Sequence, residues 1–311
     1  MEEVDVMNFR QAVKQPLILD GAMATELEKR GVDTNSELWS ARALLTDPNA
    51  VYAVHYSYFA AGADVAITNT YQANVPAFEK IGLTAAASKA LIAKAVQVAQ
   101  QARTDYLVAS DNARDLYVAG SVGPYGAYLA DGSEYTGAYQ LDRKAYQVFH
   151  YPRIAQLVAS GVDVLAIETQ PNFAEIQAVV ALLQEEFPQQ AAWVSLSIKD
   201  AQTLCDGTPL AEVVTYLNQQ PQVVALGVNC TALTNVTAVL QTLQPLTDKP
   251  LLVYPNSGEE YDPSDKTWHM QKNTPQFSEL VPKWQATGAQ LIGGCCRTTP
   301  GDIKQISQIL R

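Results

Sequence analysis

Short apolar runs recur along the chain. Each ends in a polar residue or glycine and gives way to a segment of helical period. The first is Leu17-Ile18-Leu19-Asp20-Gly21, and the second Asp64-Val65-Ala66-Ile67-Thr68-Asn69. Asp115–Val122, Asp163–Glu168, Ala192–Ile198, Val223–Val228, Pro250–Tyr254 and Ala289–Gly293 complete the series. Between them Ala22–Arg30 reads as a helix stopped by Gly31, and Asp47-Pro48 as an N-cap with proline at the first helical position. Thr84 caps an alanine-rich helix ending near Arg103, and further helices are predicted over about 142–160, 173–187 and 300–310. The apolar runs are continuous rather than alternating, as parallel strands buried on both faces require. Eight β/α units predict an α/β fold, a (β/α)8 TIM barrel in a single domain over residues 1–311. A doubly wound open sheet is the alternative. Two connections, 122–140 and 256–274, are long and rich in Gly, Tyr, Asp and Pro. Long loops in compact domains are usually functional or disordered.

Composition narrows the setting. The chain has 311 residues, a formal net charge of -11 and no basic cluster, which argues against nucleic-acid binding. No apolar run reaches the roughly 20 residues that span a bilayer. Met1 to Met7 carry acidic charges and no apolar core of a secretory signal. A reducing cytoplasm is therefore the expected location.

The candidate chemistry lies at the predicted strand ends. Three of the four cysteines, Cys230, Cys295 and Cys296, fall just past the carboxyl ends of the sixth and eighth strands. In a (β/α)8 barrel that rim is where active sites are built. Thiolates suit zinc, and three protein ligands leave a tetrahedral zinc one position for substrate. Two other readings stand beside this one. The cysteines are small buried hydrophobes, or the neighbours form a strained disulfide, which a reducing compartment disfavours. Cys205 needs no role beyond packing. The same rim gathers Asp20, Asn69, Thr70, Tyr71, Ser121, Glu168, Asn229, Tyr254 and Asn256. Glu168 alone reads as a salt-bridge partner and Asp20 as a turn cap. Facing thiolates together, they become candidate ligands for an amino-acid substrate. Trp39, Tyr71 and Tyr125 either pack or present aromatic faces to a cation. His55, His150 and His269 fall in helical or loop segments and read as surface or capping residues. No GxGxxG, P-loop, HExxH or GxSxG motif is present.

The segments Leu19–Leu27, Gly227-Val228-Asn229-Cys230 and Gly293–Pro300 resemble the homocysteine S-methyltransferases. Ala119–Tyr135, Val253–Glu259 and Lys266-Thr267-Trp268-His269 resemble the branch that uses S-methylmethionine as donor. The resemblance implies a (β/α)8 barrel, Zn2+ held by Cys230, Cys295 and Cys296, and L-homocysteine as acceptor. It also implies Glu168 at the homocysteine amino group and backbone near Asp20 and Gly21 at its carboxylate; Asn229, next to Cys230, is a further candidate substrate contact. The C-terminal extension of the betaine-dependent enzyme is absent, so a monomer is expected rather than that enzyme's oligomer.

The chemistry then follows. A free thiol has a pKa of about 8.5, and coordination to zinc deprotonates it outright. Three protein thiolates keep the bound sulfur electron-rich. That sulfur attacks the methyl carbon of a sulfonium in line, methionine departs as a neutral thioether, and homocysteine itself becomes methionine. The 122–140 loop with Tyr125 is assigned to the donor. S-adenosylmethionine is a second sulfonium donor, selenohomocysteine a softer acceptor, and betaine or another onium the alternative donor. A non-catalytic zinc thiol-binding protein, closed by Cys205, is the rival from another class.

Overall fold

The computed structural model describes residues 7–34, 38–110, 114–262, 267–270 and 275–311, without the side chains of 260–262 and 267–270. The eight expected strands are β1 (Leu17–Ile18), β2 (Val65–Ile67), β3 (Tyr117–Val122), β4 (Val164–Gln170), β5 (Ala192–Leu196), β6 (Val223–Asn229), β7 (Leu251–Tyr254) and, last in the chain, β10 (Ala289–Ile292). They pair in parallel in the order β1-β10-β7-β6-β5-β4-β3-β2. The ring closes where Leu19 bridges Val65 and Asp20 N–H donates to the Val65 carbonyl at 3.0 Å. The fold is the (β/α)8 barrel rather than an open sheet.

Two apolar layers explain the continuous runs. Along β3, Tyr117 and Ala119 belong to the cluster inside the barrel, while Val118 and Val122 join the cluster shared with the helices. In β4, Val164 and Ala166 face inward while Leu165 and Ile167 face the helices. The strands thus bury both faces, and apart from Gln290 in β10 their polar residues gather toward the carboxyl ends. The helix Phe9–Ala12 plugs the amino-terminal mouth, its Phe9 ring 5.3 Å from Tyr117 and 5.9 Å from Trp193. With that end filled, the accessible cavity lies at the carboxyl ends.

The predicted caps form: Asp47 and Thr84 accept from the N–H of Ala50 and Ala87 at 3.0 and 3.2 Å. Asp142 also caps its helix, accepting from Ala145 N–H at 2.8 Å. The Thr84-capped helix runs on to Ala109, past the expected end at Arg103. The 256–274 connection holds an antiparallel pair that its sequence did not announce, β8 (Glu259–Asp262) with β9 (Thr267–Met270). The His269 side chain and residues 263–266 between these strands lie outside the described residues. No helix among the described residues is long and apolar enough to cross a membrane.

Two of the histidines are not at the surface as expected. His55 and His150 are fully buried. His150 is held in a charged network described below. Neither ring nitrogen of His55 has a hydrogen-bond partner among the described residues. Burial alone drops its pKa from 6.5 to about 4. Below about 6.5 the unfolded chain takes up a proton that the folded ring refuses. Stability should therefore fall as the pH drops from about 6.5 to about 4, by about 3 kcal/mol in total, and be unaffected above that window. Denaturant titrations from pH 7 to 4 should show His55→Leu flattening this slope. An unchanged slope would exclude His55 as its source.

Candidate active site and metal centre

Cys230 follows β6 directly and adopts φ 51°. Its N–H donates to the Tyr254 carbonyl at 3.1 Å, which draws the turn toward the end of β7. Cys295 and Cys296 follow β10, and the chain leaving β7 anchors both. Cys295 N–H donates to the Pro255 carbonyl at 2.7 Å, and Cys296 N–H to Asn256 Oδ1 at 3.2 Å. Ser257 N–H in turn donates to the Cys296 carbonyl at 3.0 Å. The intervening strand end is the clamp that joins the two cysteine turns. Behind Cys296, Thr298 Oγ donates to the Cys295 carbonyl at 2.6 Å, and Thr299 and Asp302 form a capping box that starts the last helix.

The three sulfurs lie within 4.8 Å of one another, and the Cys230 and Cys296 sulfurs are 3.6 Å apart. Two sulfurs about 2.3 Å from one tetrahedral zinc are about 3.8 Å apart, so the trio fits that ion and is too open for a disulfide. The neighbouring thiols of Cys295 and Cys296 donate to Cys230 and hold its pKa well below the thiol range, and this same contact pushes Cys295 and Cys296 up. All three can ionise together only with a cation among them. Cys205 stands apart, bonded to Ser197 Oγ at 3.4 Å, so among the described residues the cluster has three thiols, not four.

The thiols border a cavity of about 220 Å³ whose lining includes Asp20, Gly21, Glu168 and Asn229. Glu168 accepts from Ser121 Oγ in a very short bond and from Tyr254 Oη at 3.1 Å. Burial pushes its pKa up to about 7, against the pull of those two hydrogen bonds. Asp20 Oδ2 accepts from Ile67 N–H at 2.8 Å, tying β1 to β2, and burial raises its pKa well above the carboxylate range. Asn229 lines the cavity with its amide engaged, its Nδ2 also lying 4.0 Å from the Cys295 sulfur. Its Oδ1 accepts from Thr169 N–H at 2.8 Å and Ser195 Oγ at 2.9 Å, and its Nδ2 donates to Thr169 Oγ at 2.8 Å. Asn229 thus braces the turn that presents Cys230.

Further groups line the cavity, of which the helix start and Tyr135 were not expected from the sequence. The N-terminus of the helix Met23–Lys29 faces the cavity, and its N-cap Ala22 provides no side-chain cap. Such a helix start attracts a carboxylate. Asn69, noted only as a strand-end residue, is buried with Nδ2 on the Ser40 carbonyl at 2.8 Å and Oδ1 without a partner among the described residues. Tyr135 sits in a 3-10 turn with its hydroxyl 3.5 Å from the Cys230 sulfur. Trp39 and Tyr71 meet edge to face at 6.2 Å. Four of the five described non-glycine residues with positive φ, namely Trp39, Thr169, Cys230 and Arg297, line this cavity. Each such residue costs on the order of 1 kcal/mol, strain that accumulates at sites where side-chain direction matters more than stability. Tyr125, like the rim residues Thr70 and Asn256, lies outside the lining. Its ring packs among Tyr128, Tyr139, Tyr146 and Phe149, with centroids 5.1–6.5 Å away. The same loop instead delivers Tyr135 to the cavity. No periodicity marks Tyr135, because its position depends on how the loop folds back.

Residues 17–310 match the family model for homocysteine S-methyltransferase. The chain belongs to the homocysteine S-methyltransferase family. It is 54% identical over 288 residues to the homocysteine S-methyltransferase of Escherichia coli (strain K12), covering 92% of this chain and 93% of that one. It is 45% identical to the Bacillus subtilis (strain 168) homocysteine S-methyltransferase YbgG, with 94% and 93% covered. The crystal structure of the homocysteine methyltransferase MmuM from Escherichia coli in its metallated form superposes with a TM-score of 0.87 at 50% identity, over 95% of this chain and 96% of that one. The methyltransferase described here therefore shares its barrel with a relative that is known in a metal-bound form.

Proposed function

We propose that this enzyme transfers a methyl group from S-methylmethionine to the thiol of L-homocysteine, forming methionine. The site would be a Zn2+ held by Cys230, Cys295 and Cys296 within one barrel domain spanning residues 1–311. The observation that carries this reading is the thiol trio on the border of a cavity lined by both carboxylates and aromatic rings. When bound, zinc supplies the Lewis acidity that ionises a thiol at neutral pH. The chain's own groups do the rest. Glu168, with the Asn69 Oδ1 that has no partner among the described residues, accepts hydrogen bonds from the homocysteine ammonium. The start of the helix Met23–Lys29 takes its carboxylate. Trp39, Tyr71 and Tyr135 present aromatic faces to the sulfonium, which attract cations. The acceptor sulfur then attacks the methyl carbon in line and displaces the thioether. A carbon–sulfur bond forms to homocysteine, the bond to the sulfonium breaks, and its electron pair stays on the departing thioether. No general base is required once the thiol is ionised. Alignment of the two sulfurs about the methyl group is the main contribution of the cavity.

The test is an assay of methionine formation by protein purified under reducing conditions, with zinc measured in the same sample. S-methylmethionine is expected to rank first, S-adenosylmethionine second, and betaine to be inactive. Faster turnover with betaine would overturn the donor assignment. Zinc without methyl transfer from any onium donor would favour a thiol-binding role. Glu168→Gln keeps the shape but removes the charge opposite the ammonium. It should raise the KM for homocysteine by about 10-fold or more, with the donor KM little changed. An unchanged homocysteine KM would release Glu168 from this role. The reading also places the enzyme in the cytoplasm, where reduced thiols persist.

A further inference from the structure

Behind the cavity lies a buried charged network that the chemistry above does not use. Arg153 and His150 come from the helix Arg143–Ala159, and Glu175 from the first turn of the helix Phe173–Glu186. All three are fully buried. The Arg153 guanidinium donates to the carbonyls of Tyr71 and Gly123, each at 2.6 Å, and to His150 Nδ1 at 3.1 Å. Arginine can only donate, so Nδ1 accepts and the imidazole proton sits on Nε2. Nε2 then donates to Glu175 Oε1 at 2.7 Å. Glu175 also accepts from Tyr125 N–H at 2.6 Å and from the Tyr139 hydroxyl at 2.5 Å.

The network therefore holds one loop at its start and near its end, and ties it to the next. The loop after β3 is gripped at Gly123, Tyr125 and Tyr139, and the loop after β2 at Tyr71. The two loops touch: a Cβ on Gly123 would lie 2.6 Å from the Tyr71 carbonyl oxygen. Buried charge is a costly way to gain stability, and apolar side chains of similar size would fill the same space. What apolar packing cannot supply is a directional hold on particular backbone carbonyls and on one hydroxyl. The loops so held carry Tyr71 and Tyr135, two of the three aromatic walls assigned to the donor.

We propose that Arg153, His150, Glu175 and Tyr139 form a positioning network that sets the donor half of the site, leaving the acceptor and metal half independent of it. The inference rests on the assignment of Tyr71 and Tyr135 to the sulfonium. None of the four lines the cavity, so their effect is through the aromatic walls.

The experiment is steady-state kinetics on the zinc-loaded enzyme, varying S-methylmethionine and homocysteine in turn. Arg153→Lys keeps the charge and loses the fork, while Tyr139→Phe removes a single hydroxyl from a half-buried ring and should fold normally. Tyr71→Ala serves as the reference for the donor wall. The donor KM should rise about tenfold in Arg153→Lys and severalfold in Tyr139→Phe, with homocysteine KM and zinc content unchanged. If Tyr71→Ala raises the donor KM and the two network variants do not, the network inference is overturned and the donor assignment stands. If Tyr71→Ala also leaves it unchanged, the donor assignment fails and the inference falls with it. A network serving stability alone would lower the melting temperature and kcat with both KM values intact, which also overturns the proposal. Should Arg153→Lys not fold, Tyr139→Phe decides the question by the same readouts.

Discussion

Serine in place of Cys230, Cys295 or Cys296 is expected to strip the metal and to cut methyl transfer by about a thousandfold or more. The three sulfurs lie within 4.8 Å of one another, so each would be one corner of the coordination shell of the proposed zinc. A serine hydroxyl does not ionise at neutral pH and is a harder donor than a thiolate. Outer-sphere changes around metal ligands already cost about 10–100-fold in affinity, and removing a ligand costs more. Without the cation, the acceptor thiol stays largely protonated at neutral pH, since its pKa is about 8.5. The barrel itself should survive each change, because all three cysteines sit in turns beyond the strands and outside the fully buried core. The measurement is zinc per protein, methionine formed and melting temperature for each variant, compared with wild type stripped by chelator. Each serine variant should melt close to the stripped wild type. Any one of them retaining full zinc and full turnover would remove that cysteine from the metal centre.

The largest effect on folding is expected from Gly227→Ala. A Cβ at this position would lie 1.8 Å from the Leu252 carbonyl oxygen and within 3 Å of two more backbone atoms of the same residue. Gly227 and Leu252 are register partners of β6 and β7. No side-chain rotation relieves a clash with backbone, so the two strands must part. Overpacking with flexible neighbours costs about 1–3 kcal/mol, and a backbone clash belongs at or above the upper end of that range. The damage would also reach the site, because β6 leads directly into Cys230 and β7 into the Asn256 clamp. A lower melting temperature accompanied by loss of zinc is the expected result. A variant with wild-type stability would mean that β6 and β7 are not paired in this register. Gly227 is thus required by strand spacing, a reason that the motif Gly227-Val228-Asn229-Cys230 does not reveal by itself.

Much of this protein is legible without coordinates, for reasons that are local. An apolar run buried on both faces must be a strand inside a two-layer fold, and eight such runs separated by helices leave few architectures besides a closed barrel. Caps such as Asp47 and Thr84 act within their own turn, so their pattern survives in one dimension. The cysteines were identifiable because strand ends of a barrel converge wherever the strands are placed. The tertiary structure decided what depends on segments far apart in the chain. It made the end of β7 the clamp between Cys230 and Cys296, 66 positions apart. It gave Asn229 a bracing role on the cavity wall, because Ser195 and Thr169 bond its amide. It sent Tyr125 into an aromatic cluster and brought Tyr135 to the cavity, a choice made by Arg153 and Glu175 from two other helices. It buried His55 and His150, whose helical positions alone did not say which face met the core. The strand pattern follows from the hydrophobic effect acting on neighbours in sequence. The fine aim of each polar group follows from hydrogen bonds that exist only after the ring has closed.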